Sequence, residues 1–151
     1  MQLDQKAERV DELCQSILEF RHKLRKMFHL KLKEAGIDIS FEMLEIMRII
    51  MKQEDVNQQD LADMLFKDKS NLTYLIDNMV KAGWVIRQED AKDRRNKLII
   101  LTDKARRLQE QLAPLATNCF LELANNVNEK DIESGIRILK LMNNSITDFI
   151  V

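Results

Sequence analysis

Glycine, proline and cysteine are scarce in this 151-residue sequence, which holds 3 Gly, 1 Pro and 2 Cys. Because helix-breaking residues are rare and 45% of the residues are hydrophobic, the composition predicts a folded, mostly helical protein. Two cysteines are too few for a disulfide framework or a metal cluster, and they suit a reducing compartment. No apolar run approaches the roughly 18 residues that span a membrane, and the N-terminus lacks a signal peptide's apolar core. We therefore expect a cytoplasmic protein without a membrane partner and without a cofactor.

Residues typical of catalytic and metal sites are also missing. His22 and His29 are seven positions apart and have no Cys or Asp at a recognised metal spacing. Neither a glycine-rich phosphate loop nor a nucleophile elbow occurs in the sequence. The sequence therefore predicts neither an enzyme nor a metalloprotein.

The net charge of −1 is distributed unevenly along the chain. Residues 66–97 hold eight Lys or Arg and five Asp or Glu, a local charge of +3, which leaves −4 for the remainder. A positive region on an otherwise acidic molecule attracts phosphate to one face and repels it elsewhere. This distribution favours a nucleic-acid partner bound through residues 66–97.

Two short helices are predicted in close succession near the middle of the chain, over Gln58–Leu65 and Lys69–Ala82. Asn57 and Asp68 precede them as capping residues, and only Phe66-Lys67 separates them. Two short helices joined by so tight a turn are typical of a helix-turn-helix, in which the second helix is the recognition helix.

The predicted recognition helix has an apolar stripe and a polar leading end. Spacings of three and four residues predict that one face is buried, comprising Leu72, Leu75, Ile76 and Met79. The polar side chains of the leading end are expected to reach base edges or phosphates in a DNA major groove, and they are Lys69, Ser70, Asn71, Thr73 and Tyr74.

A basic hairpin is predicted to follow this helix. Gly83 can end the helix in a left-handed conformation, and Trp84–Arg87 and Lys97–Leu101 have the composition of strands. The fold class predicted is therefore mainly α with a small β-hairpin wing, a winged helix-turn-helix flanked by helices.

The loop of this hairpin supplies the remaining DNA contacts that the sequence predicts. Arg95 is expected to enter a narrow minor groove. Asp93 is expected to hold the Arg95 side chain by a charge-assisted hydrogen bond. Arg94 and Lys97 are expected to contact phosphates.

Long apolar helices are predicted at both ends, in residues 1–36 and 103–151, around a DNA-binding domain in 40–102. The first helix carries a heptad seam that includes Val10, Leu13 and Ile17, and such a seam needs a partner helix. It is either the core helix of a monomeric bundle or a helix shared between subunits, and its length favours the second. We expect a homodimer whose interface also includes Ile136, Leu139, Ile146 and Phe149.

Smaller features complete the pattern. Ser40 is expected to cap a helix over Phe41–Met51, Val56 to form a one-residue strand, and Thr102 and Asn128 to cap the last two helices. Pro114 is expected to kink the first of these two helices by removing one backbone donor, and the helix is expected to continue past it. Gly135 is expected to mark a close helix crossing. A small effector, if one binds near the junction of the two regions, would meet Met27, Phe28, Met43 and Met47, although simple core packing also accounts for these side chains.

From Asn57 to Ala105 the chain resembles the MarR family of winged helix-turn-helix regulators. The most specific part is Asp93-Arg94-Arg95 followed by Leu98–Thr102, which is similar to the family's Asp-x-Arg wing and its Leu-Thr closing strand. The resemblance implies a homodimer in which the terminal helices form the interface and two winged domains read a pseudo-palindromic operator. It also implies a cleft for small phenolic or other apolar ligands.

The sequence departs from this family at the turn between the two short helices. Phe66-Lys67 stands where the family usually has Gly and an apolar residue. Because Phe66 disfavours a left-handed backbone, the turn is expected to differ in detail. Asp68 stands where Ser is common and brings a negative charge near the phosphates.

Two other functions remain open from the sequence. The acidic balance outside the wing is compatible with a helical protein-interaction or adaptor module that keeps the winged fold. Cys14 on the first helix is compatible with a thiol-based redox-sensing regulator, although Asp11 one turn earlier does not favour a reactive thiolate.

Overall fold

Side-chain caps define where five helices begin. An oxygen of Ser40, Asn57, Asp68, Thr102 and Asn128 accepts the backbone N–H of the residue three positions later, at 2.7–3.2 Å. At Asn57 the carboxylate of Asp60 also accepts the Asn57 backbone N–H, so the two residues form a capping box. All five predicted caps are confirmed.

A computed structural model describes residues 1–150; Val151, the last residue of the predicted dimerisation segment, lies outside the described residues. The elements in chain order are α1 (Gln2–Glu34), α2 (Phe41–Lys52), α3 (Gln58–Met64), α4 (Lys69–Lys81), β1 (Val85–Glu89), β2 (Lys97–Leu101), α5 (Asp103–Ala124) and α6 (Glu129–Ile150). The chain divides into two compact units, residues 1–111 and the part from Leu112 onward, so α5 contributes to both. None of the helices described is long and apolar enough to cross a membrane.

The core of the first unit is formed by α2, α3, α4 and the hairpin. In α4 the side chains of Leu72, Ile76 and Met79 are fully buried and Leu75 is half-buried, which confirms the predicted stripe. The other fully or nearly fully buried apolar side chains of this core include Ile46, Met47, Leu61, Val85 and Ile99. Burial on this scale contributes about 1.5–3 kcal/mol for each large apolar side chain.

The hairpin pairs β1 with β2 in antiparallel register, from Val85 opposite Leu101 to Glu89 opposite Lys97. Trp84, predicted as a strand residue, precedes β1, and β1 extends two residues beyond Arg87. The predicted one-residue strand at Val56 is also shifted, since the isolated bridge joins Asn57 to Leu98. The Val56 carbonyl nevertheless accepts the Ile99 N–H at 2.9 Å, so the start of α3 is attached to the wing.

The end of α4 is closed by Gly83 and by two side chains from the start of α5. Gly83 has a φ of +79°, as its predicted role as a helix stop requires. The Thr102 hydroxyl donates to the Gly83 carbonyl at 2.6 Å. The Lys104 ammonium donates to the Ala82 carbonyl at 2.6 Å and lies 4.5 Å from the centre of the Trp84 ring.

Pro114 lies within α5, and the helix continues past it to Ala124. The expectation about Gly135 is wrong. Gly135 does not mark a close crossing within the described chain, since a Cβ built there meets no atom within 4 Å.

Candidate nucleic-acid interface

The leading end of α4 presents most of the predicted recognition residues to solvent. Lys69, Ser70, Asn71 and Tyr74 are exposed, with 69% of Tyr74 accessible, and Thr73 is half-buried. The cap residue Asp68 organises this end, because one carboxylate oxygen accepts the Asn71 backbone N–H at 2.7 Å. Its other oxygen accepts the Asn71 side-chain amide at 3.1 Å. The negative charge of Asp68 therefore neutralises helix-end donors and orients Asn71.

Thr73 is joined to neighbouring elements by a polar network that the sequence did not reveal. Its hydroxyl donates to the Lys69 carbonyl at 2.7 Å and accepts the Gln58 side-chain amide at 2.8 Å. The Gln58 oxygen accepts Arg87 Nε at 3.3 Å, and an Arg87 terminal nitrogen donates to Asp77 at 2.6 Å. The network links α3, α4 and β1, and no local pattern predicts it because Gln58 and Arg87 are 29 residues apart.

The wing tip is folded by its own carboxylates. Asp90 accepts the Lys92 N–H at 2.9 Å, and Asp93 accepts the Arg95 N–H at 3.0 Å. The predicted bond between Asp93 and the Arg95 guanidinium is therefore wrong, because Asp93 binds the Arg95 backbone and shapes the turn instead. Arg94 and Arg95 are both exposed.

A cleft of about 350 Å³ brings the predicted helix and wing contacts together. Gln58 and Lys69 line its helical side, and Arg95, Asn96 and Lys97 line its wing side. Lys97 also pairs with Glu89 across the hairpin at 3.2 Å, where both side chains are well exposed. An exposed pair of this kind contributes at most about 1 kcal/mol, so Lys97 can exchange Glu89 for a phosphate at little cost.

The turn between α3 and α4 corrects the expectation about Phe66. Its φ is +52°, so the residue adopts the left-handed conformation although a side chain makes that conformation unfavourable. The Phe66 N–H donates to the Asp63 carbonyl at 3.3 Å and the Lys67 N–H to the Ala62 carbonyl at 3.0 Å. These two bonds form a Schellman motif, which ends α3 with Phe66 in the position that glycine usually occupies.

The side chains predicted for an effector are divided between core and surface. Phe28 and Met47 are buried, whereas Met27 and Met43 are half-buried. None of these four side chains lines the cleft of about 540 Å³ between α1 and the start of α2. That cleft is lined by His22, Arg25, Lys26, His29, Ser40, Phe41 and Glu42. Arg25 forms an ion pair with Glu42, and Arg21 pairs with Glu45 at 2.8 Å.

Within residues 1–150 no group of three or more His, Cys, Asp or Glu is arranged to hold a metal.

The predicted dimerisation residues leave apolar surface exposed in the single chain. On α1, Val10 is exposed and Leu13 and Ile17 are half-buried. On α6, no described residue is buried, and Ile146 and Phe149 are 50% and 86% accessible. Ile136 and Leu139 are exposed as well.

Residues 39–97 match the family model of the MarR family. The HTH-type transcriptional regulator SarZ of Staphylococcus aureus (strain USA300) is 26% identical over 129 residues, which cover 85% of this chain and 84% of SarZ.

Solved structures are similar in fold to most of this chain. A MarR transcriptional regulator from Methanosarcina mazei Go1 matches with a TM-score of 0.80 at 21% identity, covering 93% of this chain and 99% of that one. A mutant MarR from E. coli, complexed with operator DNA, matches with a TM-score of 0.77 at 24% identity, covering 86% and 92%. At these identities the likeness establishes the fold.

Proposed function

This chain belongs to the MarR family of winged-helix transcriptional regulators, and we propose that it acts as a homodimer that binds a pseudo-palindromic DNA operator sequence-specifically. The observation that carries the proposal is the cleft in which the start of α4 and the basic wing tip face each other. A major-groove helix and a minor-groove arginine must be presented together to contact one duplex. Because its relatives are transcriptional regulators, the protein is not an enzyme. We also propose that it is located in the cytoplasm.

The recognition helix supplies base readout in this proposal. Asn71 carries an amide that can pair with an adenine edge once it exchanges its bond to Asp68 for the base. Tyr74 and Ser70 add exposed hydroxyl groups, and Lys69 adds a cation for the phosphates. Thr73 is half-buried and already makes two hydrogen bonds, so its part in readout is the smallest.

The wing supplies affinity. Arg95 enters the minor groove, where width and electrostatic potential are read more than base identity. Arg94 and Lys97 contact phosphates, and Asp93 shapes the turn that presents Arg95. The surplus of three positive charges in residues 66–97 steers DNA towards this face.

The homodimer is supported by the exposed apolar faces of α1 and α6. Apolar side chains in such continuous rows are stable in water only when another helix covers them. A second copy of the chain supplies an identical row, as two-fold interfaces require. Two winged domains then read half-sites about 34–36 Å apart, one helical turn of DNA.

The test is selection of genomic fragments by the purified protein, followed by sequencing and measurement of stoichiometry. We expect one inverted repeat to be enriched and to bind two chains. Fragments without a common sequence, or binding of a single chain, would contradict the proposal. Failure to retain any duplex at low salt would favour the adaptor function instead.

We also propose that a small aromatic effector controls DNA binding. The cleft between α1 and α2 combines Lys26 with the ring of Phe41, a combination suited to an aromatic carboxylate, whereas Arg25 in the same cleft is paired with Glu42. Benzoate is therefore expected to raise the Tm by about 3–6 °C at about ten times its Kd and to weaken operator binding. Neutral benzamide is the matched control. An unchanged Tm and unchanged DNA affinity with benzoate would exclude this mode of regulation.

A further inference from the structure

We propose that Gln58 is a positioning residue that aligns the wing with the recognition helix, an inference that rests on the proposed DNA binding and specifies how its two contacts are held together. Gln58 is the first residue of α3, the helix that precedes α4. Its side chain lies between a residue of α4 and a residue of β1, and it lines the cleft shared by the helix and the wing tip.

The position between Thr73 and Arg87 requires a side chain that both donates and accepts a hydrogen bond. The Thr73 hydroxyl has one proton, which it donates to the Lys69 carbonyl, so towards Gln58 it is an acceptor. Arg87 has only donors. A primary amide satisfies both neighbours at once, because its nitrogen donates to Thr73 at 2.8 Å and its oxygen accepts Arg87 Nε at 3.3 Å.

Arg87 carries this link into the wing. It stands in the middle of β1, opposite Ile99 of β2, so its side chain moves with the whole hairpin. Its other end donates to Asp77 at 2.6 Å, two turns after the polar leading end of α4 begins. The wing is therefore tied to α4 directly through Asp77 and indirectly through Gln58 and Thr73.

This alignment matters because the two contacts enter different grooves. If the hairpin moved relative to α4, Arg95 would have to be ordered anew at each binding event. If the free protein already holds the hairpin in its binding position, the conformational entropy of ordering the hairpin is not lost on binding. Gln58 thus contributes to affinity without touching the DNA.

Hydrogen exchange of the free protein tests the alignment without any DNA. Gln58→Met keeps the length and helix propensity and removes both hydrogen bonds. We expect amides of the hairpin, residues 85–101, to exchange about two- to tenfold faster, while those of α2 are unchanged. Gln109→Met on α5 is the control and should match the parent.

Gln58→Glu is the second variant, because its carboxylate keeps the acceptor for Arg87 but cannot donate to the Thr73 hydroxyl. Its hairpin should exchange faster than that of the parent and more slowly than that of Gln58→Met. Parent-like exchange in Gln58→Met, or faster exchange in Gln58→Glu than in Gln58→Met, would overturn the proposal.

Binding to the selected operator supplies a readout that a purely structural role would not move. Gln58→Met should weaken binding about two- to tenfold. In a protein that already carries Arg95→Ala, the same substitution should reduce the affinity clearly less, because the wing contact is already lost. Additive losses would mean that Gln58 acts independently of the wing. If the parent protein binds no duplex, the proposed function fails, but the exchange experiment still decides whether Gln58 holds the hairpin.

Discussion

Phe66 has a strained backbone conformation, and its side chain is almost entirely exposed. Its φ is +52°, and 85% of the side chain is accessible. For a non-glycine residue, the left-handed conformation costs roughly 1–2 kcal/mol. The Schellman hydrogen bonds at the end of α3 hold the residue there.

Phe66→Gly is therefore expected to stabilise the fold. Removing the left-handed strain should stabilise the protein by roughly 1–2 kcal/mol, whereas the greater freedom of glycine in the unfolded chain should destabilise it by roughly 0.4–1 kcal/mol. The net stabilisation is therefore up to about 1.5 kcal/mol. Denaturant unfolding of the two proteins measures the difference in free energy of unfolding. Lys67→Gly, one residue later in the same turn, has no such strain to relieve and should be destabilising. A lower unfolding midpoint for Phe66→Gly than for the parent would show that the phenyl ring contributes to stability.

At the scale of elements, α4 and the wing are expected to divide the work of recognition. Asn71→Ala should cost roughly 1–3 kcal/mol at particular base pairs, because a side-chain amide reads donors and acceptors on a base edge. Asn78→Ala, at the far end of the same helix, is the matched control and should leave discrimination unchanged. The measurement is a set of binding isotherms on matched and singly mismatched operators. An equal loss on every duplex would assign Asn71 to the backbone rather than to the bases.

Helix boundaries and buried faces could be predicted from the sequence where the residues that determine them are close together in the chain. The five caps lie within three residues of the N–H groups that they accept, and the α4 stripe repeats every three or four residues. The link from Gln58 to Arg87 spans 29 residues and depends on how the hairpin docks on the helices, so no local pattern carries it.

The errors at Asp93 and Phe66 have a common physical origin. Spacing alone does not decide whether a carboxylate binds a neighbour's side chain or its backbone, and at Asp93 the tight wing turn favours the backbone. At Phe66 the prediction relied on the preference of a non-glycine residue against the left-handed backbone. The hydrogen bonds that end α3 outweigh that preference. The DNA-contact and dimerisation residues themselves remain predictions.

At the scale of the whole molecule, the exposed apolar rows on the terminal helices predict a homodimer. Ile17→Asp and Ile146→Asp should each cause dissociation or unfolding, because a charge would be buried without a partner. Light scattering at micromolar concentration measures the mass. Asn144→Asp lies on the opposite side of α6 from Ile146, at 100° per residue, and should remain dimeric. A monomer mass for the parent chain would contradict the assembly.

The charge pattern, −1 overall but +3 in residues 66–97, makes salt dependence the most direct test of DNA recognition. The measurement is duplex affinity over a salt series for the parent and for Arg95→Ala, with Arg9→Ala as a control for the same loss of charge on α1. We predict a steep loss of affinity with salt for the parent and for Arg9→Ala. For Arg95→Ala we predict weaker binding and a log–log slope smaller by about one unit per chain. An Arg95→Ala protein that binds with the parent's affinity and slope would mean that the wing does not touch DNA.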